Sequence, residues 1–113
     1  MPNYARRVDA NQGEIVNAFR KLGCSVKLAH TVGQGWPDLA VGYGGLTAFV
    51  EVKAEKGQLN ARQKEWLEDW TGGHYVARDF DDVQRISSML RKWHRAIAEA
   101  SMTNKSTDKD GVS

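Results

Sequence analysis

The apolar positions of this chain change period several times, and each change marks an element. Ile15, Ala18, Phe19 and Leu22 recur at helical spacing between Asn11 and Leu22, with Asn11 placed to cap the start and Gly23 to end the run. Ser25 to His30 then alternates Val26 and Leu28 with polar neighbours, the period of a half-buried strand. Gly33, Gly35 and Pro37 resist regular structure, so Thr31 to Pro37 reads as a loop. A second strand is expected at Asp38 to Tyr43 and a third at Leu46 to Ala54, joined by Gly44-Gly45 as a hairpin.

After a loop at Glu55 to Leu59, Asn60 opens a helix in which Trp66, Leu67 and Trp70 form the apolar stripe until Gly72-Gly73 ends it. His74 to Ala77 is a short fourth strand. Val83, Ile86, Met89, Leu90, Trp93 and Ile97 mark a long last helix capped by the Asp79 to Asp82 region. Beyond Ser101 the segment MTNKSTDKDGVS has almost no apolar content and is expected to be disordered. The order αβββαβ plus a C-terminal helix implies an α/β fold, a mixed central sheet flanked by helices. One domain, residues 1–100, is expected, followed by the tail 101–113.

Composition narrows the class without naming a function. At 113 residues, 41% hydrophobic and 27% charged, the chain has the balance of an ordinary globular domain. No apolar run approaches the roughly 20 residues of a membrane helix, and the start MPNYARRVDA lacks the apolar stretch of a signal peptide, so no membrane partner and a cytoplasmic location are expected. The single cysteine, Cys24, excludes an internal disulfide, and the three scattered histidines give no zinc-finger spacing. A net charge of +2 permits a polyanionic partner without announcing one.

The chemistry lies in the hairpin. In AFVEVKA, alternation puts Phe49, Glu51 and Lys53 on one face and Val50 and Val52 on the other, with Glu51 and Lys53 about 7 Å apart along the strand. A lone Glu-x-Lys is more often an exposed, salt-bridged strand face. The preceding strand changes its meaning, because Asp38 follows a Gly-Trp-Pro turn, and Pro37 pins that carboxylate to the strand's first position. Two acids on adjacent strands can converge on one hard cation, and a neighbouring lysine can orient an attacking water or counter charge on phosphorus oxygens.

GWPDLAV followed by FVEVK resembles the signature of the PD-(D/E)XK nucleases, with Asp38 as its aspartate and Glu51-Val52-Lys53 as its ExK element. The longer stretch VEVKAEKGQLNARQKEWLEDWTGGHYVAR is similar to the VRR-NUC branch, the virus-type replication and repair nucleases, and the likeness runs from about Glu14 to Val83. The resemblance implies a restriction-endonuclease-like core and a Mg²⁺- or Mn²⁺-dependent endodeoxyribonuclease. It also implies metal ligands at Asp38, Glu51, the Val52 carbonyl and Glu14, and catalytic roles for Glu14, Asp38, Glu51, Lys53 and Gln63. Free-standing viral members of this branch resemble Holliday-junction resolvases, which implies a branched DNA substrate and a homodimer.

Several of these positions have plainer readings. Glu14 is also a first-turn glutamate favoured by the helix dipole, and Gln63 also completes an Asn60-x-x-Gln63 capping box. Arg6, Arg7, Lys56 and Arg62, with the basic run Arg85, Arg91, Lys92 and Arg95, are candidate phosphate contacts that are equally a solvated surface. Trp36 could stack on a splayed base or plug the loop before Asp38. Alternatives to junction resolution are a flap or single-strand endonuclease with the same site, a catalytically silent nucleic-acid-binding module, and a purely structural partner protein.

Overall fold

The computed structural model describes residues 11–112, with side chains through Met102. Its elements follow the expected order: α1 (Gln12–Lys21), β1 (Ser25–Leu28), β2 (Leu39–Tyr43), β3 (Leu46–Val52), α2 (Ala61–Leu67), β4 (Gly73–Ala77) and α3 (Phe80–Val112). The four strands make one mixed sheet in the order β1-β2-β3-β4. The first three run antiparallel, while β4 returns parallel to β3, as a crossover through a helix requires. The hairpin turn at Gly44-Gly45 uses positive φ at both glycines.

Alternation along β3 divides the molecule into two layers. Ala48, Val50 and Val52 face a core shared with Leu39 and Val41 of β2, Ile15, Val16 and Phe19 of α1, and Val83, Ile86 and Leu90 of α3. Phe49 and Glu51 face the other way, where α2 lies. There Phe49, Trp36, Trp66 and Trp70 form an aromatic cluster with ring centroids 5.0–5.6 Å apart, mostly edge to face. The α2 face of the sheet thus carries a partly exposed aromatic cluster, apart from the buried core.

Several boundaries differ from the sequence expectation: β2 begins at Leu39, so Asp38 stands just before the strand rather than at its first position, and β4 begins at Gly73. The first strand stops at Leu28 because His30–Val32 coil into a 3-10 turn, and Leu28, at the end of an edge strand, stays exposed. The third ends at Val52, leaving Lys53 and Ala54 beyond the regular ladder. The second helix ends at Leu67, so Trp70 packs from a turn, its indole N–H donating to the Gly73 carbonyl. Helical backbone in α3 continues to Val112, past the Ser101 start expected for the tail, since extending an existing helix costs far less than nucleating one.

Caps and stripe also differ in detail. Asn11 stands at the N-cap of α1, but its side chain caps nothing and instead donates to the Arg78 carbonyl at 3.1 Å, tying α1 to the end of β4. Asp79 does cap α3, accepting from the N–H of Asp82 at 2.9 Å. Along α3 the buried stripe stops at Leu90. Trp93 and Ile97 continue its spacing but are 57% and 49% exposed.

Truncations should separate the two ends of that pattern. Phe19→Ala empties a fully buried position and should cost about 3–5 kcal/mol of stability, whereas Trp93→Ala should shift the urea midpoint little; equal losses in urea denaturation would contradict this layering.

Candidate active site

The site gathers where β2 begins and β3 ends. Pro37, fully buried, delivers the chain into β2, and the backbone carbonyl of Asp38 accepts from the N–H of Ala29 at 2.7 Å. Leu39 pairs with Val50, so one further step along the ladder sets Asp38 opposite Glu51. The Asp38 side chain turns to the neighbouring strand, where its Oδ2 accepts the backbone N–H of Val52 at 2.8 Å. Asp38 is thereby hydrogen-bonded to the residue between Glu51 and Lys53.

Glu51 is the most constrained of the group. Only 3% of it is exposed, and a buried carboxylate needs charge or hydrogen-bond partners to offset lost hydration. Its Oε2 accepts from Gln63 Nε2 at 2.7 Å and stands 3.9 Å from Lys53 Nζ. Lys53 itself remains partly accessible, with 17% of its side chain exposed. The glutamate and lysine thus share one face, as strand alternation requires.

Gln63 completes the capping box expected of it and also reaches Glu51. Its Oε1 accepts from the N–H of Asn60 at 2.9 Å, while Asn60 Oδ1 accepts from the N–H of Gln63 at 2.9 Å, a complete capping box at the start of α2. With the amide oxygen committed to the cap, the amide nitrogen is the end left to face Glu51. Gly35 makes this approach possible. It has φ +82°, and a Cβ there would lie 2.3 Å from the carbonyl oxygen of Arg62, so only glycine lets the loop before Asp38 pack against the first turn of α2.

The other candidates are placed less centrally. Glu14 is exposed on α1 and lines a cleft with Arg78, Asp79 and Phe80. Trp36 is 37% exposed and packs on Phe49 and Trp66. Lys56 and Arg62 are exposed on the loop and helix that follow Lys53. Arg6 and Arg7 lie outside the described residues.

Arg78 was not singled out from sequence, although it organises this end of the molecule. Its guanidinium donates to the Gly57 carbonyl at 2.7 Å, its N–H donates to Asp82 at 2.8 Å, and its own carbonyl receives Asn11. A cation directly after a short strand was the available signal. It anchors the loop that leaves Lys53 to the start of α3.

Among the described residues no three His, Cys, Asp or Glu side chains gather tightly enough to enclose a metal ion by themselves. Magnesium needs only one or two carboxylates, with water completing its shell. The oxygen donors that could serve it are Asp38, whose Oδ1 has no hydrogen-bond partner among the described residues, Glu51, and the Val52 carbonyl. Comparison with protein-family models, with curated proteins and with solved structures returned no match. Among the described residues no helix is long and apolar enough to cross a membrane.

Two outcomes follow from this packing. Gly35→Ala adds a strained φ to a backbone clash and should cost about 2–4 kcal/mol, readable as a fall in the denaturant midpoint. His74 packs against Trp66, and burial lowers its pKa below the usual imidazole value. A base with a depressed folded-state pKa favours folding above its unfolded value, near 6.5, and loses that contribution as pH falls. The melting temperature should therefore drop between pH 7 and pH 5, and His74→Phe should flatten the drop.

Proposed function

We propose that this protein is a metal-dependent nuclease of the PD-(D/E)XK type, of the VRR-NUC branch, hydrolysing phosphodiester bonds in DNA. The observation that carries the reading is the meeting of Asp38, buried Glu51 and Lys53 at one end of the β2–β3 hairpin, in the order that the signature residues have in the sequence. The mixed four-stranded sheet with helices on both faces supports a restriction-endonuclease-like core. A buried glutamate held beside a lysine has little value as a surface ion pair, but it suits a site that must present oxygen donors at a fixed point.

Each residue then has a chemical task. Asp38 and Glu51, with the Val52 carbonyl, would hold Mg²⁺ or Mn²⁺, and the bound cation would supply Lewis acidity and neutralise the acids against the polyanionic substrate. Lys53, whose ammonium is the partly accessible member of the group, orients the attacking water and counters the negative charge that builds on the non-bridging phosphate oxygens. Gln63 keeps the Glu51 carboxylate in place. Glu14, exposed on α1 in a cleft shared with Arg78 and Asp79, is the further carboxylate that the resemblance assigns to the ligand set.

For substrate we favour a four-way junction cut by a homodimer, since paired cuts across a symmetric junction need two sites. This follows the resemblance of the sequence rather than any single contact. Exposed Lys56 and Arg62 beside the site support binding to phosphates. Acting on DNA, the protein would work inside the cell, in keeping with the cytoplasmic location expected from the sequence.

Incubation of purified protein with labelled four-way junction, flap and plain duplex should give cleavage of the junction with Mg²⁺ or Mn²⁺ and none in chelator. Preferred cutting of the flap would favour the flap endonuclease instead. Lys53→Ala should retain junction binding while cleavage falls by roughly 10²-fold or more. Cleavage at the wild-type rate in that variant would refute the role given to the lysine, and junction binding without cleavage under every metal would favour a silent binding module.

A further inference from the structure

A buried acid at a proposed active site must be held by something, and here the holder is itself held. Gln63 donates to Glu51 Oε2 at 2.7 Å through Nε2, and that orientation is dictated by its other end, where Oε1 accepts from the N–H of Asn60. Were the amide reversed, an N–H would face an N–H at the cap and an oxygen would face a carboxylate at Glu51. Asn60 closes the arrangement by accepting from the N–H of Gln63. Two hydrogen bonds that look like ordinary helix capping thus select which atom meets the acid.

From this geometry we infer that Asn60 is a positioning residue for Glu51, acting through Gln63, and that the first turn of α2 serves as a clamp on the catalytic carboxylate. The inference rests on the proposed nuclease reading for its consequence in catalysis, but the clamp exists without it. Asn60 is exposed and touches Glu51 nowhere among the contacts described, so its influence passes through one amide. The α2 helix is only seven residues long. A helix this short depends on its cap, because nucleation is costly and few backbone hydrogen bonds follow. Loosening the cap therefore frees Gln63 to rotate and Glu51 to leave the position in which it would meet a cation.

The aromatic cluster keeps the clamp separable from the fold. Trp66 packs on Phe49 and Trp36 independently of Asn60, so α2 remains docked on the sheet when its first turn frays. Loss of the cap should then be felt at Glu51 more than in the stability of the core.

The test uses three variants of this chain beside the wild type. Asn60→Ala removes the cap acceptor and should lower kcat on labelled junction DNA roughly 10- to 100-fold, the usual effect of removing support behind a metal ligand, with KM for DNA unchanged. Asn60→Ser restores an acceptor at the N-cap and should recover most of that loss. Gln63→Glu keeps the capping box, because glutamate accepts from the same N–H, but sets a carboxylate against Glu51. It should lose activity while α2 retains its helicity and Trp66 its burial.

An amide measurement reads the clamp without activity. In ¹⁵N-labelled protein the Gln63 side-chain NH₂ should be distinct and slow to exchange in the wild type and Asn60→Ser, and should merge with exposed glutamines in Asn60→Ala. Unchanged kcat in Asn60→Ala, or a Gln63 amide indifferent to it, would overturn the inference. Wild-type protein inert toward every DNA and metal would overturn the nuclease reading alone, and the amide resonances would still decide whether the clamp exists.

Discussion

A carboxylate buried in a sheet is the constraint around which this molecule is arranged. Glu51 lies in mid-chain on β3, between core valines whose side chains point the opposite way, and nearly all of it is removed from water. Such a group costs several kcal/mol unless its partners are correctly placed. One partner comes from just past the end of its own strand, as Lys53, and one from α2, as Gln63. The course of the chain between β3 and β4 can be understood as the route that brings α2 across the outer face to meet it.

The aromatic cluster belongs to the same requirement. Phe49 precedes Glu51 by two residues on that face, and Trp36, Trp66 and Trp70 close over it. These rings supply the apolar area that a seven-residue helix cannot provide through backbone hydrogen bonds alone, so α2 is docked by tryptophan and aimed by its cap. Gly35 sets the spacing between loop and helix, since its missing side chain is what allows the carbonyl of Arg62 to come close. Loop, helix and strand therefore converge on one acid.

Much of this was legible in the sequence, and the exceptions share a cause. Strand alternation with a proline and a glycine pair was enough to predict the hairpin and to put Glu51 and Lys53 on one face. Period reports which residues share a face, but not whether another element covers that face. Trp93 and Ile97 continue the core stripe of α3 in sequence yet stay about half exposed, and Leu28 alternates correctly at an edge that leaves it exposed. Asn11 has the right residue type at the right position for a cap, yet a longer-range partner, the carbonyl of Arg78, takes its side chain. Glu14 projects from the expected turn, and only the packing of α1 against the start of α3 shows that its cleft opens toward Arg78.

Gln63 shows why alternatives that compete in a sequence need not compete in a structure. A capping residue and a site residue are rival assignments only when a side chain is counted as one group. An amide has two ends of opposite character, an acceptor and a donor. Spending the acceptor on the backbone of Asn60 leaves the donor, and a donor is what a buried carboxylate needs. The helix start and the acid are therefore satisfied by a single side chain, and the local stability of α2 becomes coupled to the geometry of the proposed site.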